Sequence, residues 1–267
     1  MKYTLYILFF FLLIGSLILS YFYVKRENYE NNNNNNSEIP LNVFLTWKTK
    51  ELPPKMQKSV DKLKRENPEF TYHLFDDNDC HNFIKENFNE DVANAYDSLI
   101  PGAFKADLWR YCVLYKRGGI YLDIKYHTVN GFKLINLTDK EYFIRDIEAS
   151  GSGIYNAFMI CKPGNQKMYN CITKIIENVK NKYYGNVVFE PTGPLLLLKE
   201  FNDEELRNLP PIGLSEEKCP TKTCISMNNV PILAIYKEYR EEQKAFFSKE
   251  KTKYYYDLWN ERKIYKE

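Results

Sequence analysis

Between Lys105 and Lys125 the sequence reads KADLWRYCVLYKRGGIYLDIK, and its charged residues fall at spacings that can do chemistry. Asp107 and Arg110 are three apart in a stretch apolar enough to be a largely buried helix, so they share a face. Gly118-Gly119 stops that helix, because glycine readily takes the left-handed conformation at a helix end. IYLDIKY then reads as a strand, with Ile120, Leu122 and Ile124 on one face and Tyr121, Asp123 and Lys125 on the other. The tight turn forces helix and strand to pack together, so Asp107, Arg110 and Asp123 can converge. A carboxylate accepts hydrogen bonds from vicinal hydroxyls, and a guanidinium donates in a fixed fork to oxyanions. Burying such charges is costly unless they are paired or used. Two readings stay open: an internal salt bridge that ties the helix to its neighbours, or a ligand-binding cluster.

The elements around this segment alternate. Asn42 to Trp47 is a strand, followed by Pro53-Pro54 and a helix over Lys55 to Glu66 that Asn67-Pro68 ends. Phe70 to Phe75 is a second strand, and the polar turn DDND follows it. Cys80 to Phe88 and Val92 to Leu99 read as helices. Strands alternating with helices predict an α/β fold with a mostly parallel central sheet and helices on both faces. Asp76, Asp77 and Asp79 lack the Gly and the distal Glu of a calcium loop, so a capped turn is the better reading. His73 and His81 have no ligand spacing. None of the six cysteines forms a CxxC pair, which argues against zinc. Cys112 and Cys161 sit in apolar segments and should pack as small hydrophobes. Cys219 and Cys224 bracket a short Pro-containing loop and can form a disulfide in an oxidising compartment. Asn136-Leu137-Thr138 is a glycosylation sequon, relevant only in a secretory compartment.

The 267 residues suffice for one large α/β domain or two small ones. Lys and Arg total 37 against 35 for Asp and Glu, which gives no basic surplus for a nucleic-acid partner. Behind a tail of residues 1–3, the uncharged run TLYILFFFLLIGSLILSYFY has the length of a membrane-crossing helix. It ends in bulky Tyr21, Phe22 and Tyr23 rather than at a small-residue cleavage site, which favours an uncleaved anchor over residues 4–24. Residues 25–38 contain the Asn run from Asn31 to Asn36, cannot bury a core and read as a stalk. The folded domain is expected over residues 39–267.

KADLWRYCVLYKRGGIYLDIK resembles the signature of the DXD-containing glycosyltransferases of family 32, which include yeast initiating α-1,6-mannosyltransferases and have relatives in bacterial toxin glucosyltransferase domains. IPLNVFLTWKTKELP, FTYHLFDD, IYNAFMICKPGN and PTGPLLL resemble further segments of the family, so the likeness runs from about Ile39 to Leu198. The resemblance implies a GT-A fold and transfer of a hexose from a nucleotide-diphosphate sugar to a hydroxyl of a glycan, protein or lipid acceptor, with retention of configuration. It implies that Trp47 borders the base, that Asp107 and Arg110 hold the sugar, and that Asp123 binds sugar or ribose hydroxyls and the metal shell. Asn156 would line the sugar pocket. The anchor then implies a single-pass, type II protein of a secretory or equivalent membrane. Tyr and Phe rings, 16% of the chain with Trp, suit stacking on bases and sugars, and equally reflect a general compositional bias.

The chain departs from the family pattern at the second Asp of DXD, which is Lys125 here. The family's metal, Mn²⁺ or Mg²⁺, is held at that position, and a protonated Lys cannot ligate a metal. Asp123 could hold the ion with other ligands such as Asp146 or His127, the Lys125 ammonium could replace it, or the site could be degenerate. A catalytically silent nucleotide-sugar or carbohydrate-binding protein is therefore the competing reading. A hydrolase using Asp123 as base lacks a second carboxylate at a defensible spacing. Asp257 and Trp259 could close the site from the C-terminal end or simply pack.

Overall fold

In the computed structural model, residues 37–146, 153–216, 218–221 and 223–267 are described. Along the chain the elements are β1 (Asn42–Thr46), α1 (Pro54–Glu66), β2 (Thr71–Phe75), α2 (Asp77–Asn87), α3 (Glu90–Ser98), α4 (Gly102–Arg117), β3 (Gly119–Leu122), β4 (Tyr126–Thr128), β5 (Arg145–Asp146), β6 (Gly153–Ile154), β7 (Phe158–Cys161), α5 (Gln166–Lys180), α6 (Pro194–Leu198), α7 (Asp203–Arg207), β8 (Ile212–Ser215), β9 (Cys224–Met227), β10 (Val230–Ile235), α8 (Tyr239–Lys249) and α9 (Tyr255–Asn260). The expected anchor over residues 4–24 lies outside the described residues, as does most of the expected stalk. Among the described residues no helix is long and apolar enough to cross a membrane.

Four strands form the central sheet in the order β2-β1-β3-β7. β1 runs parallel to both β2 and β3, and β7 closes the sheet antiparallel to β3. Successive side chains of a strand point to opposite faces, and the sheet uses both. Phe44, Tyr121 and Met159 face a core shared with α2, α3, α4 and α5. Val43, Leu45, Ile120, Leu122, Phe158 and Ile160 face a second core with Met56, Val60 and Leu63 of α1. Helices on both faces of a mostly parallel sheet are thus observed. A second sheet was not foreseen: β4-β10-β9-β8-β5-β6, antiparallel except where β5 meets β8. It supplies Ile212, Ile225 and Leu233 to the second core.

Local chemistry sets the element ends. Asp76 caps α2 through a reciprocal box with Asp79, so the capping is as read, but the helix starts at Asp77 rather than at Cys80 and DDND is its cap and first turn. Asn67 ends α1, and its side chain takes the Leu134 N–H at 2.8 Å. Phe104 and the unbroken run from Asp107 to Leu114 in α4 are buried, Asp107 and Arg110 among them. Such a helix is enclosed on nearly all sides, which is why it carries no amphipathic stripe. Gly118 ends it at φ 58°, and a Cβ there would lie 2.6 Å from Pro163. Gly119 has φ 109°, and a Cβ would lie 2.7 Å from the Asn42 carbonyl. Only glycine fits this pair, so the helix-to-strand reversal is set by sequence.

One sequence expectation is corrected here. IYLDIKY is not a single strand: β3 stops at Leu122, and Asp123 to Lys125 form a turn before β4. The Tyr126 N–H donates to the Asp123 carbonyl at 3.0 Å and closes that turn. Cys112 and Cys161 are fully buried and unpaired, as expected of small hydrophobes, and Cys219 and Cys224 form a disulfide.

Candidate active site

The carboxyl ends of parallel strands are where open α/β sheets bind ligands. In this chain those ends hold Trp47 after β1, Asp76-Asp77 after β2 and Asp123 after β3. The last of these meets the buried face of α4.

Asp107 is the anchor of that face. Its Oδ2 accepts the Thr192 hydroxyl at 2.7 Å, and its Oδ1 accepts the Asn156 amide at 2.9 Å. Arg110 lies one helical turn on, with Nη2 3.3 Å from Asp107 Oδ1. Its Nη1 donates to the Asn156 carbonyl at 2.8 Å, and its Nε donates to the Ala106 carbonyl at 3.1 Å. The guanidinium also lies 4.4 Å from the centre of the Tyr121 ring, a cation–π contact. Asp123 closes the cluster: its Oδ1 sits 3.6 Å from Arg110 Nη1 and accepts the Tyr121 hydroxyl at 2.8 Å. Its Oδ2 accepts the Lys125 ammonium at 2.7 Å.

Exposure separates the roles. The Asp107 and Arg110 side chains are 12% and 8% exposed, whereas Asp123 keeps 24%. Asp123 is therefore the carboxylate a ligand can reach, and Asp107 is the one that holds the frame. Their electrostatics differ accordingly. Burial pushes the Asp107 carboxyl above the usual carboxylate range despite Arg110, Thr192 and Asn156. At Asp123 burial pushes the same way, but Lys125 and Arg110 outweigh it and hold the carboxyl below that range. Burial lowers and Asp123 raises the Lys125 ammonium, and the net is upward, so it stays charged.

Of the residues foreseen from sequence, the structure brings Asp107, Arg110, Asp123, Lys125 and Asn156 together. Trp47 sits at the same sheet edge, but its contacts are with α8: Phe247 stacks on it at 6.3 Å and Phe246 tilts against it at 5.2 Å. Its buried Nε1 has no hydrogen-bond partner among the described residues. His127 belongs elsewhere, its charged neighbours being Lys62 and Glu66 of α1. Asp146 is buried in β5, near Tyr155. Trp259 donates its Nε1 to the Tyr184 carbonyl at 2.7 Å, which is a packing contact. His73 and His81 pair with Asn42 and Asp97. Sequence reasoning missed the roles of Thr192, Tyr121, Tyr126 and Tyr155. Thr192 is 1% exposed and lies in the PTGP segment; Tyr121 was already placed on the face of Asp123 by strand alternation. Tyr126 and Tyr155 join hydroxyls at 2.6 Å, and Lys125 lies over both rings at 5.3 and 5.6 Å.

The donor set does not fit a protein-held divalent ion. Such an ion needs several oxygen ligands converging on it. Here both Asp123 oxygens already accept from donors, and one of those donors is a cation. Among the described residues no three His, Cys, Asp or Glu side chains gather closely enough to hold a metal.

Parts of the chain are similar to known proteins. The family model "Glycosyltransferase sugar-binding region containing DXD motif" matches residues 53–144, which include Asp107, Arg110, Asp123 and Lys125. The initiation-specific alpha-1,6-mannosyltransferase of Candida albicans is 33% identical over 91 residues, 32% of this chain and 24% of its own. Inositol phosphoceramide mannosyltransferase 3 of Schizosaccharomyces pombe is 32% identical over 163 residues, 60% of this chain and 44% of its own. Among solved structures, PaToxG Glycosyltransferase superposes with a TM-score of 0.47 at 17% identity, over 68% of this chain and 76% of that one. The chain spans less than half the length of either of these curated relatives. Over residues 53–144, which include helix α4 to strand β4, the chain is similar to the DXD-containing glycosyltransferases.

Proposed function

We propose that the protein is a hexosyltransferase of GT-A type that moves a sugar from a nucleotide-diphosphate donor to a hydroxyl acceptor with retention of configuration. The observation that carries this reading is the convergence of Asp107, Arg110, Asn156 and the partly exposed Asp123 at the carboxyl end of β3. Asp123 accepts hydrogen bonds from vicinal sugar or ribose hydroxyls. Arg110 fixes Asp123 and carries positive charge beside the diphosphate. Asp107 and Thr192 hold Arg110 and Asn156 in place and do not themselves reach the acceptor. The orphaned Trp47 Nε1 supports a base site at the end of β1, because a buried donor without a partner costs about 1–3 kcal/mol that an acceptor on the ligand would recover. Mannose, named in both curated relatives, is the first hexose to test. The acceptor class is a glycan or lipid hydroxyl, and residues 4–24 hold the protein on a membrane as a single-pass, type II chain.

The test incubates the full chain with a panel of nucleotide sugars and acceptors and measures release of nucleoside diphosphate, with the product's anomeric configuration read by NMR. Release coupled to a retained glycoside supports the reading. The competing reading is a silent binding protein, favoured by the ammonium already seated on Asp123 Oδ2. It predicts nucleotide binding without release.

A further inference from the structure

We infer that Lys125 is the resident cation of this site, and that it replaces the divalent metal at the departing diphosphate. The inference rests on the glycosyl-transfer reading and deepens it. Three observations support it. The first is charge. A family site with Asp in place of Lys125 would carry one more negative charge, and this one carries one more positive charge. The difference is two charges, the charge of one divalent ion. With Lys125 the cluster of Asp107, Arg110, Asp123 and Lys125 is balanced, two acids against two bases, with no ion added.

The second is the donor set. A metal on Asp123 would have to share Oδ2 with an ammonium 2.7 Å away, whose charge repels it, or Oδ1 with a hydroxyl donor 2.8 Å away. No group of three His, Cys, Asp or Glu side chains gathers among the described residues to hold the ion there.

The third is preorganisation. A lysine is a flexible point charge, which makes it a poor metal substitute unless its stem is fixed. Here the stem is fixed. The side chain is 14% exposed and lies against the rings of Tyr126 and Tyr155. Its backbone carbonyl accepts the Tyr236 N–H from the end of β10 at 3.0 Å, and the next residue closes the Asp123 turn. An ammonium has three donors. Asp123 uses one, and among the described residues no other acceptor takes the rest.

In the transfer step the bond between the anomeric carbon and the β-phosphate oxygen breaks, and its electron pair leaves with that oxygen. The acceptor oxygen bonds to the anomeric carbon, and its proton passes to the departing phosphate. Lys125 stays protonated throughout and donates to the phosphate oxygens as negative charge builds on them. The same ammonium keeps Asp123 ionised to hold the hydroxyls.

The experiment reads binding before turnover. GDP, UDP and ADP are titrated by calorimetry into the full-length wild type and into Lys125→Ala, Lys125→Arg and Lys125→Asp, each in EDTA and in excess manganese. Near-UV circular dichroism checks that each variant is folded. The wild type should bind one diphosphate equally well in both conditions. Lys125→Ala should lose about tenfold to a hundredfold in affinity, the loss of one charged hydrogen bond, and Lys125→Arg should lose less. Lys125→Asp, which restores the family's second carboxylate, should bind only with manganese, and turnover should follow the same pattern. Wild-type binding that requires manganese overturns the inference without touching the glycosyl-transfer reading, and needs no variant to fold. So does a Lys125→Ala protein that binds like the wild type. Failure to bind any diphosphate in either condition overturns both.

Discussion

Arg110 holds the site together through contacts that a ligand does not need. It donates to two backbone carbonyls, sits between Asp107 and Asp123, and stacks on Tyr121. Removing it leaves Asp107 buried and uncompensated, so Arg110→Ala should cost about 3–5 kcal/mol of stability, read from urea unfolding midpoints. Asp123 can be changed more cleanly because it is partly exposed. Asp123→Asn keeps the shape and the Tyr121 hydrogen bond but loses the charge. It should abolish transfer while the protein stays folded; normal turnover on a preparation shown to bind donor would remove Asp123 from the site. Its pH signature is also defined. Burial alone would raise this carboxyl, and Lys125 and Arg110 reverse the direction. A carboxyl whose folded pKa is depressed adds stability above its ordinary value, and that stability is lost as pH falls through the folded value. The wild type should therefore lose stability below about pH 4, and Asp123→Asn should show a shallower acid limb in urea midpoints over that range. Asp107 runs the opposite way, its carboxyl being raised chiefly by burial; the Asp123 charge adds to that rise, so Asp123→Asn removes part of it as well.

At the level of elements, legibility followed how local the cause was. α1, α2, α3, α4, β1 and β2 were readable because each is bounded by its own signal: Pro53-Pro54, Asn67-Pro68, the Asp76 cap, Gly118-Gly119. β3 was overextended, because the turn at Asp123 to Lys125 is set by a backbone bond from Tyr126 and by the Tyr236 N–H on Lys125, neither visible in a run of alternating residues. Alternation placed Lys125 on the same face as Asp123 without predicting a contact; the turn, not the pleat, brings the two to 2.7 Å. The second sheet was not readable because its strands are short and assembled from distant segments, β4 pairing with β10 across about a hundred residues of chain. Thr192 was hidden likewise: its hydroxyl lies 85 positions from Asp107 in sequence. Two predictions belong here. Gly119→Ala forces a Cβ against the Asn42 carbonyl at φ 109°, so it should cost at least about 1–2 kcal/mol from the backbone alone, with a lowered thermal midpoint. The Cys219–Cys224 disulfide closes a loop five positions long. The double serine variant should lose about 2 kcal/mol in the chain-entropy account, with donor affinity unchanged because the loop lies outside the Asp107–Lys125 cluster.

For the whole molecule, the decisive boundary is the one between the N-terminal run and the folded part. Residues Glu38–Glu267 form one compact unit with its own two cores. Glu38, the first residue of that unit, is held to it: its N–H donates to the Thr138 carbonyl at 2.8 Å, the Ile39 N–H follows at 3.1 Å, and its carboxylate pairs with Lys162 at 2.5 Å. A chain cut at Glu38 keeps the backbone bonds, whereas one cut at Ile39 gives up the first of them and the ion pair. The Glu38 chain should therefore stay in solution without detergent, melt at the same temperature as the full chain in detergent, and bind nucleoside diphosphate with the same affinity. The full chain should partition into the detergent phase on clouding of a detergent solution, since the uncharged run over residues 4–23 is long enough to cross a bilayer. Partition of the full chain into the aqueous phase would remove the anchor. A Glu38 chain that aggregates or has lost its near-UV signal would show instead that the first 37 residues take part in the fold.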